Sequence, residues 1–311
     1  MPQPLKPPPL RPGDTIRVLS LGSPVEEDHL RKGCDELARL GYAPKFDRAQ
    51  ALARHGLFAG SAAERSTALR EAFADPSARA IFCSRGGYGS NYLVDCLTAP
   101  PKPWKIFLGA SDITSLQIFL WQKFRCVTFY GPMVATNFDR GPGASHGYDP
   151  EGLTRALTET QHGWSLDLHA ESLFPGTADG VLLGGCLTLV ETALGTPWQL
   201  DTRGAILILE DLLMKPYQVD RALMHLMQAG SFRGLAGIIL GEFPQCDPPP
   251  GGETVKDVAR RIFQPLGVPV VWGAPVGHTS RSMLTLPLGI PARLSAEGSA
   301  RLEILEPSCA P

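Results

Sequence analysis

Apolar runs typical of β-strands alternate with helix-spaced apolar positions through the first 130 residues. The predicted strands cover 15–21, 43–46, 78–83, 105–108 and 127–130. The predicted helices cover 26–40, 61–73 and 112–124, and a further helix leads from the turn at 84–90 to residue 97. This alternation predicts an α/β fold around a parallel sheet, with ligands bound outside the carboxyl ends of its strands.

Residues 138–178 have a different character, because glycine and proline interrupt the pattern and only 150–158 has helical spacing. We expect this segment to be a linker between an N-terminal domain at 1–137 and a C-terminal domain at 179–311. The second domain again alternates. Its predicted strands cover 180–185, 205–210 and 237–240, its helices 186–194 and 219–228, and its last extended segments 268–271 and 292–294.

Composition argues against several classes of partner. The 311 residues carry a formal net charge of −2, so no field favours nucleic acid or an anionic membrane surface. The N-terminus lacks the apolar region of a secretory signal, and no apolar stretch is long enough to span a bilayer. Seven scattered cysteines without a Cys-x-x-Cys pair are typical of reduced thiols and lack zinc spacing. We therefore expect a cytoplasmic protein that needs no metal or other cofactor.

Ser111 lies where the predicted strand 105–108 gives way to the helical pattern of 112–124. A serine at such a corner projects its hydroxyl outward, beside the free N–H groups of the new helix. Those groups are the donors that the oxyanion of an acyl transfer requires. The alternative is that Ser111 only caps the helix, since serine is favoured at that position.

A serine nucleophile requires a base and a third group that orients the base. Among seven histidines, His278 is the candidate base, because it occupies a glycine-flanked turn after an apolar strand. Glu210 is the candidate acid, since a carboxylate that ends the apolar run 205–209 is out of place without a partner. Asp211 is the adjacent rival, which strand alternation points the other way. The alternative for all three is an ordinary loop position.

A glycine-rich turn, Arg85-Gly86-Gly87-Tyr88-Gly89, follows the predicted strand 78–83. Its backbone N–H groups suit an anion, either a phosphate or a developing oxyanion, although similar turns are common in parallel sheets. The turn lacks the Lys-Ser/Thr pair of a P-loop and the glycine spacing of a dinucleotide fingerprint. We therefore do not expect ATP or NAD as a ligand.

Four motifs, in their order along the chain, resemble those of the LD-carboxypeptidase family of serine peptidases. They are Arg85-Gly86-Gly87-Tyr88-Gly89, Gly109-Ala110-Ser111-Asp112-Ile113-Thr114, Leu209-Glu210-Asp211 and Pro275-Val276-Gly277-His278. Shorter matches extend the resemblance over residues 10–305, among them Pro12-Gly13-Asp14, Gly131-Pro132-Met133 and Leu286-Pro287-Leu288-Gly289. The family includes murein tetrapeptide carboxypeptidases and microcin C self-immunity peptidases.

The resemblance implies a flavodoxin-like N-terminal domain, a smaller C-terminal α/β domain and a homodimer. It implies a triad of Ser111 as nucleophile, His278 as base and Glu210 as the orienting acid. The implied activity is hydrolysis of an L-to-D peptide bond, which releases D-Ala from murein tetrapeptides during peptidoglycan recycling.

The same resemblance implies the groups that would bind the substrate. The oxyanion would be held by backbone N–H groups of the Gly86-Gly87 turn and of Asp112. A carboxypeptidase must also bind the free C-terminal carboxylate, and Arg85 beside the turn is the candidate for that contact. The alternative for Arg85 is a surface arginine near the cleft.

The chain departs from the family pattern at three positions. Ala110 stands where an aromatic residue usually precedes the serine, Tyr130 where a histidine usually precedes Gly-Pro-Met, and Cys186 where asparagine is common. None of the three removes a triad residue. The departures therefore bear on the identity of the substrate.

Two other functions use the same residues differently. An amidase that acts on aminoacyl-nucleotide antibiotics would share the triad, but such relatives tend to be longer, with an extra loop over the nucleotide. A non-catalytic protein that holds a small anion between its domains would tolerate the loss of Ser111 or His278. A metallopeptidase is disfavoured because no pair of histidines has ligand spacing.

Overall fold

The computed structural model describes residues 3–311. The strands of its first half are β1 Thr15–Leu19, β2 Ala43–Lys45, β3 Ala78–Cys83, β4 Ile106–Gly109 and β5 Thr128–Tyr130. The helices of this half are α1 Glu27–Arg39, α2 Arg48–Ala51, α3 Ala62–Ala74, α4 Thr114–Phe124 and α5 Pro150–Thr158. Single 3-10 segments cover Ser90–Cys96, Ser111–Ile113 and Phe138–Arg140.

The second half contains more strands than helices. The strands are β6 Trp164–Asp167, β7 Glu171–Phe174, β8 Thr177–Cys186, β9 Ala205–Glu210, β10 Gly237–Leu240, β11 Val270–Trp272, β12 Leu286–Leu288, β13 Pro291–Ser295 and β14 Arg301–Ile304. The helices are α6 Leu187–Thr192, α7 Pro216–Gln228 and α8 Val255–Phe263, followed by a 3-10 segment at Gln264–Leu266.

The first sheet has the strand order β12-β5-β4-β3-β1-β2. Strands β1 to β5 are parallel, and their order is that of doubly wound, flavodoxin-like domains. The sequence prediction of an N-terminal flavodoxin-like α/β domain is thus confirmed. An unpredicted element completes the sheet, because β12 from the C-terminal part of the chain pairs antiparallel with β5 and places Leu286 opposite Tyr130.

The second sheet has eight strands in the order β6-β14-β13-β8-β9-β10-β11-β7. Its centre, β8 to β11, is parallel, and antiparallel strands extend it at both sides. The parallel strand β9 is buried along its whole length, as the unbroken apolar run at 205–209 predicts for a central strand. This arrangement confirms the expected α/β class of the C-terminal domain.

The segment 138–178, which the sequence analysis assigned to a linker, is structured over much of its length. The expected helix at 150–158 is α5. The segment also supplies β6 and β7, the two edge strands of the second sheet. Short edge strands have a weak sequence signal, because only part of each is buried.

Helix α4 joins the two halves of the molecule. Its residues from Thr114 to Trp121 are all buried, so it lacks the polar face of an ordinary surface helix. Leu116 and Phe119 pack in the core of the first sheet, whereas Ile118 packs in the core of the second. Thr114, the first residue of α4, therefore lies at the boundary between the two domains.

Candidate active site

Ser111 occupies a strained turn between β4 and α4. Its φ angle is +59°, in the left-handed region that is unfavourable for residues other than glycine. Such strain concentrates at functional sites and is typical of a nucleophile elbow. The alternative that Ser111 is a capping residue is wrong, because no capping hydrogen bond from its side chain is formed at the start of the 3-10 segment or of α4.

The glycine-rich turn after β3 packs directly on this serine. A Cβ atom at Gly86 would lie 2.8 Å from Ser111 Cβ and 2.9 Å from Ser111 Oγ. It would also lie 3.2 Å from the backbone nitrogen of Asp112. Within residues 3–311, the N–H groups of Gly86 and Gly87 donate to no protein acceptor. A turn with unused backbone donors therefore contacts the serine side chain through Gly86, and an oxyanion site requires such donors near the nucleophile.

The carboxylate of Asp112 holds the glycine-rich turn in place through two hydrogen bonds. It accepts hydrogen bonds from the backbone N–H of Gly89 at 3.1 Å and of Ser90 at 2.8 Å. Burial raises the pKa of Asp112 against the opposing effect of these hydrogen bonds. The buried Arg65 of α3 adds a second tie, since its Nη1 donates to Leu21 O at 2.6 Å and to Gly89 O at 2.7 Å.

Glu210, the last residue of β9, forms a hydrogen-bonded pair with His278 of the loop that follows β11. Glu210 Oε2 lies 2.8 Å from His278 Nδ1 and accepts from the His278 backbone N–H at 2.8 Å. Gly277 has a φ of +63°, and a Cβ atom there would overlap the Glu210 carboxylate. Because a carboxylate only accepts hydrogen bonds, Nδ1 carries the proton and Nε2 keeps its lone pair.

The pKa values of this pair are set by burial and by mutual attraction. Burial alone would favour neutral forms, but the two groups stabilise each other's charge more strongly than burial opposes it. The pKa of Glu210 is therefore lowered, although the side chain is completely buried. The pKa of His278 is raised above its ordinary 6.5 by the adjacent Glu210.

Asp211 faces away from the pair. Its Oδ2 accepts from the backbone N–H and the hydroxyl of Thr188 at 2.9 and 2.7 Å, at the start of α6. Its Oδ1 accepts from the backbone N–H of Leu212 at 2.8 Å. Because successive side chains alternate, Glu210 binds the imidazole, whereas Asp211 binds the first turn of α6.

The hydroxyl of Tyr130 connects the nucleophile turn to the buried carboxylate. It accepts from the backbone N–H of Ser111 at 3.1 Å and donates to Glu210 Oε1 at 2.5 Å. Tyr130 ends β5 of the first sheet, whereas Glu210 ends β9 of the second. The hydrogen bond to Glu210 therefore crosses the boundary between the domains, and the one from Ser111 ties the serine turn to it.

Ser111 and His278 line one cavity of about 370 Å³. Arg85 and His146 add further basic side chains to its wall, and over the described residues no carboxylate lines it. Arg85 Nη1 donates to Pro24 O at 3.2 Å, and its buried Nε has no partner among residues 3–311. The cavity therefore suits a ligand with a negative charge.

Ser111 Oγ forms no hydrogen bond with the imidazole in residues 3–311, although both side chains face the same cavity. Hydrogen bonds between catalytic groups are often long before substrate binds. Across the described chain, no three His, Cys, Asp or Glu side chains are grouped so that they could hold a metal ion. From residue 3 onward, no helix combines the length and apolar character that crossing a bilayer demands.

The chain is similar to known proteins over both of its domains. Residues 16–131 match the LD-carboxypeptidase N-terminal domain, and residues 179–294 match the LD-carboxypeptidase C-terminal domain. The chain is also 34% identical over 305 residues to the probable murein peptide carboxypeptidase of Bacillus subtilis, covering 96% of this chain and 94% of that protein.

The chain belongs to the LD-carboxypeptidase family. The resemblance seen in the sequence is thus confirmed. Among solved structures, the muramoyltetrapeptide carboxypeptidase of Oxalobacter formigenes has a TM-score of 0.81 at 29% identity, over 95% of this chain and all of that one. The microcin C7 self immunity protein MccF, at 24% identity, shares the fold with a TM-score of 0.87 over 99% of this chain and all of that one.

Sequence reasoning missed several groups that this LD-carboxypeptidase family member places at its cavity. His146 is not among the candidate residues of the sequence analysis, but its Nδ1 lies 2.9 Å from Thr279 O, and the ring lines the cavity. The side-chain role of Asp112 was also missed, because its partners lie in another loop. The departure from histidine at Tyr130 was the available signal for a special contact at that position.

The other two departures lie near the same centre. Ala110 is buried and lines the cavity beside the serine. Cys186 ends β8, and its backbone N–H donates to Thr114 Oγ1 of α4 at 3.1 Å. Burial raises the pKa of the Cys186 thiol well above its usual value, so the thiol stays protonated.

Proposed function

We propose that the protein is a serine-type LD-carboxypeptidase that releases a C-terminal D-amino acid, D-Ala, from murein tetrapeptides. One observation carries the proposal: the strained Ser111 and the His278 that is bonded to Glu210 come from different domains and line one cavity. The names of the Bacillus subtilis and Oxalobacter formigenes relatives support a murein peptide as the substrate.

The first half of the reaction forms an acyl-enzyme. Ser111 Oγ attacks the carbonyl carbon of the terminal peptide bond, and His278 Nε2 accepts the hydroxyl proton. Glu210 stabilises the resulting imidazolium, because it is ionised and bonded to Nδ1. The imidazolium then protonates the leaving amine as the C–N bond breaks.

The second half returns the enzyme to its starting state. Water gives a proton to His278 and adds its hydroxyl oxygen to the acyl carbon, and Ser111 Oγ leaves with the proton that the imidazole returns. In both halves the oxyanion is stabilised by backbone N–H groups of Asp112 and of the Gly86-Gly87 turn. The products are free D-Ala and the shortened peptide.

Arg85 binds the free C-terminal carboxylate in this proposal. Its guanidinium is tethered at the cavity by one backbone carbonyl and retains unused donors. A guanidinium binds a carboxylate through two parallel hydrogen bonds, which favours a chain end over an internal bond. A homodimer and a cytoplasmic location, expected from the resemblance and the composition, stay predictions.

The test is mass spectrometry of a murein tetrapeptide incubated with the purified protein. We expect the loss of one alanine with the wild type, and a rate lower by about 10⁴-fold or more with Ser111→Ala. Ser299→Ala is a matched control, because that hydroxyl binds Asp167 at the far side of the second sheet. An intact tetrapeptide, or cleavage that is unaffected by Ser111→Ala, would refute the proposal. Aminoacyl-sulfamoyl adenosine is assayed separately, as the substrate of the alternative amidase function.

A further inference from the structure

Tyr130 is the one described side chain that hydrogen-bonds both the nucleophile turn and the triad carboxylate. It has no solvent exposure, so its hydroxyl depends entirely on protein partners. The Ser111 N–H donates to the phenol oxygen, and the phenol proton points to Glu210 Oε1. One hydroxyl thus uses its acceptor and its donor on two different parts of the candidate site.

Among residues 3–311, Glu210 accepts three hydrogen bonds, and the contact with Tyr130 is the one at Oε1. Both hydrogen bonds from His278 go to Oε2, whereas Oε1 is bonded to the Tyr130 hydroxyl. A buried carboxylate oxygen without a donor is costly, so removal of the phenol would favour a protonated or displaced carboxyl group. Burial and the charge of Glu210 raise the pKa of Tyr130 well above 10, which keeps the phenol a donor.

Ser111 depends on the other side of the same hydroxyl. Its left-handed backbone conformation persists only where its surroundings hold it, and the Tyr130 oxygen is the acceptor for its N–H. With that N–H occupied by the phenol, the donors left for an oxyanion are those of Asp112 and of the glycine-rich turn.

We propose that Tyr130 is a positioning residue that aligns Ser111 with Glu210 across the boundary between the two domains. The inference rests on the proposed function, since it assigns Tyr130 a part in that reaction. Tyr130 acts through the orientation of Glu210, and hence of His278, and through the backbone of Ser111.

Other titratable groups near Glu210 do not replace this contact. Asp211 is bonded to Thr188, and the thiols of Cys186 and Cys246 have pKa values raised by burial. A change in the acid limb of the pH–rate profile, where the rate falls toward low pH, therefore reports on the Glu210–His278 pair.

The experiment compares Tyr130→Phe with the wild type in two assays. The first measures the rate at which a fluorophosphonate labels Ser111, which requires no peptide substrate. The second measures kcat and KM for the tetrapeptide. We expect labelling and kcat to fall by about ten- to a hundredfold, with KM nearly unchanged, because the lost hydrogen bond involves a charged group. We also expect the acid limb of labelling to move to higher pH, because a Glu210 carboxylate that has lost a donor accepts more strongly from His278 and raises the pKa of the imidazole further.

Tyr148→Phe is the matched control. Tyr148 is also fully buried, and its hydroxyl also donates to a carboxylate, that of Glu36 on α1. The same chemical change is thus made away from Ser111 and His278. We expect Tyr148→Phe to leave the labelling rate and its pH dependence unchanged.

A double-mutant cycle with Glu210→Gln separates positioning from general stability. If Tyr130 acts through Glu210, the double variant labels about as slowly as Glu210→Gln alone. Multiplied effects of the two substitutions would overturn the inference, and so would a Tyr130→Phe protein with wild-type rates and pH profile. A wild type that neither labels at Ser111 nor cleaves the peptide would instead refute the proposed function.

A measurement on the wild type covers the case in which Tyr130→Phe does not fold. In protein with ¹³C-labelled tyrosine, NMR should detect a slowly exchanging hydroxyl proton on Tyr130, distinct from that of Tyr148. This signal should shift or vanish in Glu210→Gln. Rapid exchange of the Tyr130 hydroxyl with water would contradict the buried link between Ser111 and Glu210.

Discussion

The two domains contribute to the candidate site in different ways. The first domain offers mainly backbone: a left-handed serine turn and unused N–H groups of a glycine-rich loop, held by Asp112 and Arg65. The second domain offers side chains, a buried carboxylate and the imidazole bonded to it. The first domain should therefore be sensitive to added atoms, and the second to a change of charge.

Among substitutions that leave Ser111 and His278 in place, the largest effect is expected in the second domain. Glu210→Gln removes the charge that orients His278, and we expect kcat/KM to fall by about 10²- to 10³-fold. The base must be neutral to act, and Glu210 raises the pKa of His278. Without that charge the pKa of His278 falls, so the acid limb of the residual activity moves to lower pH.

A pH profile of kcat/KM checks this prediction, with Asp211→Asn as the control. The adjacent Asp211 is bonded to Thr188 rather than to the imidazole, so its neutralisation should leave the acid limb nearly in place. An equal shift for both variants would show that the two carboxylates do not differ as the hydrogen bonds indicate.

The corresponding effect in the first domain is steric. Gly86→Ala places a methyl group 2.8 Å from Ser111 Cβ, closer than real Cβ atoms approach other atoms. The turn must move, and we expect kcat to fall by about 10²-fold because the oxyanion donors are displaced. Since the change adds no charge, the acid limb should stay where it is in the wild type.

Steady-state kinetics across pH test this difference between the domains. A Gly86→Ala enzyme with wild-type kcat would show that the turn does not hold the oxyanion. A shifted acid limb in that variant would show that the two domains are not separable in this way.

A smaller effect is expected from loosening the same turn. Asp112→Asn replaces one of the two carboxylate oxygens that accept from Gly89 and Ser90 with a donor, and we expect kcat to fall by about tenfold. Asp149→Asn is the control, because Asp149 accepts from the Gly152 N–H at 2.6 Å at the start of α5. Both variants should lose some thermal stability, and only Asp112→Asn should lose turnover.

The smallest effect on kcat is expected at Arg85. Arg85→Lys keeps the positive charge but loses the paired donors, so we expect KM to rise by about tenfold with kcat nearly unchanged. Steady-state kinetics with the tetrapeptide and with its C-terminal amide provide the measurement. The amide should be a poor substrate for the wild type, and its KM should depend less on Arg85 than the KM of the tetrapeptide does. Equal KM values for both substrates would contradict the role of Arg85.

Much of the fold and of the candidate site could be predicted from local patterns in the sequence. The apolar run that predicts a strand at 205–210 is β9, and Glu210 lies at its end with the partner that its position requires. The strand-to-helix corner predicts that the Ser111 hydroxyl points outward, and the half-buried Ser111 lines the cavity. Both predictions rest on neighbours along the chain, where burial and periodicity are directly visible.

Long-range contacts could not be obtained in the same way. Strand β12 joins the first sheet although most of its neighbours in the chain belong to the second, and its three residues have no distinctive period. In the sequence, Tyr130 was visible as the end of an apolar strand and as a departure from the family pattern. Its contact with Glu210 depends on how the two sheets lie against α4, which no local pattern encodes.

The most direct measurement is peptide mapping by mass spectrometry after treatment with a fluorophosphonate. We expect the adduct on Ser111 in the wild type, and labelling slower by about 10³-fold or more in His278→Ala. An adduct on a different residue, or equal labelling without His278, would contradict a serine nucleophile that is activated across the two domains.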